Sequence, residues 1–76
     1  MDFDTVKEVC VEYCENMYAL VSNYLKSNNN LELVELLEQI ENLEDNIRKC
    51  IDINKLFDYK KLLEQMMSRI EVIINA

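Results

Sequence analysis

"LVELLEQIENLEDNIRKC", residues 33–50, carries the pattern that decides the fold. Leu33, Leu36, Ile40, Leu43, Ile47 and Cys50 recur at 3-4-3-4-3 spacing, which places them on one face of a helix. Leu37 and Ile51 are expected to widen that stripe. Glu32, Glu35, Glu38, Glu41 and Glu44 occupy the opposite face. Such a ladder reads first as a solvated face, with docking of a basic protein as the functional alternative.

Upstream lies "KSNNN", residues 26–30, the one clear break in the chain. Ser27–Asn30 reads as a loop, with Asn29 or Asn30 capping the helix that follows. Before it, Phe3, Val6, Cys10, Tyr13, Met17, Leu20 and Tyr24 are spaced 3-4-3-4-3-4, a second apolar seam. Asp4 or Thr5 is expected to cap this helix, with Thr5 and Glu8 at capping-box spacing. Downstream, Leu56, Tyr59, Leu63, Met66, Ile70 and Ile73 repeat the same spacing. The junction "CIDINK" reads two ways. Asp52 or Asn54 caps a third helix, or one bent helix runs from about Leu31 to Ile74. The pattern predicts an all-α fold: a small antiparallel bundle of about three amphipathic helices in one domain, residues 1–76.

Composition narrows the function classes. Half of the 76 residues are hydrophobic and 30% are charged, so the chain is not compositionally disordered. It contains neither glycine nor proline, which disfavours a turn-rich β fold. Its net charge of -7 makes nucleic acid a poor partner, because phosphate contacts need lysine and arginine. The apolar runs fall far short of the roughly 20 residues that span a bilayer, so no membrane insertion is expected. The acidic start "MDFDTVKE" lacks the basic and apolar regions of a signal peptide, which points to a reducing compartment. No histidine is present, so hydrolytic triads are excluded and a zinc site would lack the usual fourth ligand.

The cysteines hold the remaining chemistry. "CVEYC", residues 10–14, spends two of the three cysteines four residues apart. Disulfides in reducing compartments are usually transient and catalytic. On a regular helix the two Cα atoms lie roughly 6.2 Å apart, within bridging range. Their Cβ atoms, however, lie roughly 6.4 Å apart, beyond the roughly 3.5–4.5 Å that a disulfide wants. Closing Cys10–Cys14 therefore requires local unwinding, and the strained bond would be easy to reduce. With helices one and two antiparallel about Asn28, Cys50 falls level with residue 7, within a turn of Cys10. A Cys10–Cys50 bridge would staple two helices. Glu8, Glu12 and Glu15 are expected to raise the thiol pKa values, with Lys7 the only nearby cation. The competing reading is that the thiols are buried small hydrophobes, since Cys10 and Cys50 hold seam positions while Cys14 sits beside the seam. Tyr13, Tyr18, Tyr24 and Tyr59 read as core-edge residues, and Met66–Met67 as core filler.

With this motif in the first helix of an acidic, helical chain of 76 residues, the sequence resembles the small CxxxC thiol oxidoreductases of poxviruses. The resemblance rests on Cys10-Val11-Glu12-Tyr13-Cys14, its position, and the length and composition of the chain. It implies a thiol–disulfide oxidoreductase with Cys10 and Cys14 as its redox pair. Its role would be the middle carrier of a cytoplasmic disulfide relay. Upstream would be an Erv/ALR-type flavin sulfhydryl oxidase, reached through a mixed disulfide. Downstream would be a glutaredoxin-like thiol protein, which oxidises viral membrane proteins during virion assembly. The FAD would belong to the oxidase, so no cofactor is expected on this chain. The expected location is the host cytoplasm, in viral factories, with association to the virion as a further expectation. Two rival readings remain: a non-enzymatic helical adaptor with structural cysteines, and an acidic inhibitor mimicking a charged polymer.

Overall fold

The structure, a computed structural model, describes residues 2–76. Three α-helices follow one another: α1 (Phe3–Leu25), α2 (Leu31–Lys49) and α3 (Ile53–Ile74). They pack as an up-down-up bundle about 39 × 18 × 15 Å, with the apolar stripes sharing one core. The sequence-based expectation of an all-α bundle is met.

Side-chain caps define the helix starts. Asp2 is the N-cap of α1, and its Oδ1 accepts from the Thr5 backbone N–H at 2.8 Å. This corrects the expected Asp4 or Thr5 cap and the Thr5–Glu8 capping box. Asp2 reaches the free amide one turn earlier, so Thr5 lies inside the first turn. That same bond holds the Asp2 carboxyl below the usual carboxylate range. At the far end, Asn28 Nδ2 donates to the Tyr24 carbonyl at 3.0 Å, satisfying one of the orphan acceptors of α1. Asn30, one of the two predicted caps, starts α2 by accepting from Leu33 N–H at 3.0 Å. Arg48 and Lys49 close α2, where cations favour the negative end of the helix dipole.

The junction after α2 resolves into two helices. Cys50 and Asp52 both adopt extended backbone, and Asp52 caps α3 by accepting from Asn54 N–H at 2.8 Å. The alternative of one bent helix is thereby removed. Ile51 does not widen the α2 stripe: it is 93% exposed, because the chain has already left the helix at Cys50.

The stripes of α2 and α3 bury as their spacing predicts. Leu33, Leu36, Ile40, Leu43, Ile47 and Cys50 are buried, as are Leu56, Leu63, Met66 and Ile70. Tyr59 and Ile73 pack at the edge. Helix α1 departs from its predicted seam. It buries Val6, Cys10, Cys14, Met17 and Val21, while Leu20 turns outward and Tyr13 and Tyr24 stay at the rim. The cause is position in the bundle. Helix α1 packs against both neighbours, so its buried face is rotated from the predicted seam. The tyrosines keep an edge where a hydroxyl can reach water.

Candidate thiol site

All three cysteines are free and buried, and all three join the single core. Cys10 and Cys14 project from the first half of α1 toward the same interior, and Cys50 closes α2 at the same end of the bundle. The register about the first loop is the expected one. Lys7 Nζ donates to the Cys50 carbonyl at 3.1 Å, tying the start of α1 to the turn between α2 and α3. The same ammonium lies 5.7 Å from the centre of the Phe3 ring.

Cys14 was the cysteine whose exposure the sequence left open. It is fully enclosed. Burial, reinforced by Glu44, Cys10 and Glu15 against an opposing Arg48, pushes its pKa up to about 12. At neutral pH its thiolate fraction is then on the order of 10⁻⁵. The Cys10 thiol is also pushed up, first by burial; the Lys60 ammonium opposes the shift and Cys50 adds to it.

The predicted direction therefore holds for both thiols, yet the groups behind it differ from those the sequence offered. Glu15 acts as expected. Glu44, Arg48 and Lys60 were missed because they come from other helices. The register that places Cys50 beside residue 7 also sets residues 43–48 across from residues 9–14, so Glu44 and Arg48 could have been found. Lys60 needed the packing of α3.

The two α1 thiols differ in access. A cavity of about 280 Å³ opens between α1 and α3, lined by Val6, Val9, Cys10, Phe57 and Lys60. Val6 and Cys10 are buried at its base, while Val9, Phe57 and Lys60 are exposed at its mouth. Helix α1 runs unbroken from Phe3 to Leu25, so the spacing that prevents a relaxed Cys10–Cys14 bridge applies to this fold. Among the described residues, no cluster of three or more cysteine, aspartate or glutamate side chains is arranged to hold a metal. Among the same described residues, no helix is long and apolar enough to cross a membrane. Comparison with protein-family models, with curated proteins and with solved structures finds no match to this chain.

Proposed function

We propose that this chain is a thiol–disulfide carrier that uses Cys10 and Cys14 as its redox pair. The observation that supports it most is the arrangement of the two thiols: one turn apart on α1, with Cys10 at the base of an apolar opening and Cys14 behind it. The partner disulfide is attacked by the Cys10 thiolate. Its S–S bond breaks as the mixed disulfide forms, and one partner sulfur leaves as a thiol. Cys14 then attacks Cys10 Sγ and releases the second partner sulfur. Two electrons and two protons pass to the partner, and the carrier is left oxidised. Discharge runs the same steps in reverse onto a dithiol. The resemblance to the poxvirus CxxxC oxidoreductases supplies the partner classes. An Erv/ALR-type sulfhydryl oxidase would load the carrier, and a glutaredoxin-like protein would unload it, in the host cytoplasm during virion assembly.

The resting fold keeps both thiols protonated and covered, so loading requires the first half of α1 to loosen against α3. A docking partner provides that by binding the opened form. A second reading is favoured by one specific observation, the complete enclosure of Cys14. In it the chain is a helical adaptor and its cysteines are core.

A reconstituted relay separates the two. The reduced chain is mixed with an Erv-type sulfhydryl oxidase and a glutaredoxin-like dithiol, and oxidation of the dithiol is followed. The carrier reading expects wild type to accelerate it and Cys10→Ser and Cys14→Ser each to abolish the acceleration. A Cys10→Ala/Cys14→Ala variant that relays as well as wild type would establish the adaptor.

A further inference from the structure

The seam between α2 and α3 is the side on which the core stays most open to solvent. Both of its ends are fixed. Arg69 bonds Glu32 at one end, and Asn46, Cys50, Lys55 and Tyr59 line one cleft at the other. Between these anchors the helical repeat carries the same faces along the chain. On α2 that face holds Glu32, Leu36, Leu43 and Cys50; on α3 it holds Lys55, Tyr59, Leu62, Met66 and Arg69.

Burial marks the gap. Leu36, Leu43, Cys50 and Met66 are the four most exposed members of the core, at 6–8%, and all four lie on this seam. Beside them Leu62 is 44% exposed, and Ile51 stands in water at the turn. A domain this small has little core to spare, so covering such a seam matters more to it than to a large one.

Charge selects what covers it. Helix α2 carries six acidic and two basic side chains, a net of -4, whereas α3 carries three acidic and four basic ones, a net of +1. One face therefore sets an acidic helix beside a basic one, and its complement is a second copy of the same face. A twofold axis parallel to the bundle lays α3 of each copy antiparallel over α2 of the other and keeps every residue at its own height. Arg69, already level with its own Glu32, comes level with Glu32 of the partner subunit, with the partner subunit's Glu35 one turn along. A twofold across the bundle would instead lay α2 on α2, where like charges repel. The size is also right. A face of 39 × 18 Å covers about 700 Å², close to the roughly 800 Å² per partner of a standard interface.

We propose that two copies of this chain associate through their α2/α3 faces, with α3 of each lying over α2 of the other. The opening at Cys10 lies between α1 and α3, on another side of the bundle. The pairing leaves that opening free and rests on no step of the carrier reading.

Sedimentation velocity of the full-length chain tests the proposal, in a reducing agent so that no disulfide links the copies. Between about 1 µM and about 500 µM the species is expected to shift from one chain of 9.1 kDa to two. Leu62→Glu changes a side chain that is exposed in the single chain. It is expected to raise the dissociation constant at least about tenfold with the far-UV circular dichroism unchanged. Leu20→Glu makes the same change on the exposed side of α1 and is expected to leave association as it is. Glu35→Lys is expected to weaken association about threefold relative to Glu41→Lys. The latter makes the same change in net charge on the edge of α2 that meets Tyr18 of α1. A single chain at the highest concentration, species that keep growing past two chains, or equal weakening by Leu62→Glu and Leu20→Glu would overturn the surface. Glu35→Lys that associates as tightly as Glu41→Lys would overturn the placing of α3 over α2.

Discussion

Cys14 shows how packing sets the state of a single residue. Its thiol keeps its proton in the folded chain far above the pH at which an unfolded cysteine loses it. The folded pKa is raised, so the associated stability is complete below the unfolded value near 8.5 and drains away as pH rises toward about 12. In that window the unfolded chain binds fewer protons than the folded one. Stability then falls by up to about 1.4 kcal/mol per pH unit for each such thiol. Cys10 adds to the fall in the same direction. Urea unfolding of the reduced protein between about pH 8 and about pH 9.5, below the tyrosine range, should show the midpoint dropping. Cys14→Ala should start lower and drop less steeply. An equally steep drop in Cys14→Ala would mean that the buried thiol is not the group that titrates. The raised pKa could be anticipated from Glu15 and the burial of neighbouring seam residues. Its size could not, because Glu44 acts from across the bundle.

At the scale of the element, short polar side chains fix where each helix begins, and the sequence was legible wherever one residue could do that alone. Asn30 follows the break and precedes the α2 stripe, and it does cap Leu33 N–H. Asn30→Ala should therefore lower unfolding free energy by about 1 kcal/mol, measured by denaturant titration, while Asn29→Ala changes it little. Equal losses at both positions would mean that the cap is shared. Helix α1 was harder to read because Asp2 and Asp4 are both good caps and spacing does not choose between them. The buried faces follow the same logic. Helices α2 and α3 each meet the core along one seam, so a heptad count finds Ile40, Ile47, Leu56, Leu63 and Ile70 directly. Helix α1 faces two neighbours, which brings Cys14 and Val21 inside and turns Leu20 out. Nothing in the α1 sequence announces how many helices it must cover.

Across the whole molecule, topology followed from one loop and three stripes, and the ends of the bundle are held by pairs that no local pattern predicts. Arg69 grips Glu32 through two bonds, one of 2.7 Å, linking the end of α3 to the start of α2. Arg48 reaches Glu15 at 3.4 Å, linking α2 to α1 beside Cys14. These pairs are exposed and serve register more than stability. The end away from Arg69–Glu32 holds Cys10 and Cys50 with Lys7, Lys49, Lys55 and Lys60, while Cys14, midway along α1, meets Glu44 and Glu15 as well as Arg48. The motif CVEYC was legible as a pair; its enclosure, and the lysines around Cys50, appear only when three helices are assembled. The proposed carrier would store its oxidised state as a distortion of α1, which would make its disulfide a good oxidant. The direct measurement is the thiol–disulfide equilibrium of the purified chain. It is poised in glutathione buffers, trapped by alkylation and mapped by mass spectrometry, with glutathione on Cys50 scored separately. A reversible Cys10–Cys14 disulfide with a potential above about -250 mV is the expected result. A Cys10–Cys50 bridge, a potential below about -300 mV, or thiols at positions 10 and 14 that never pair would contradict a carrier and leave a helical adaptor with cysteines in its core.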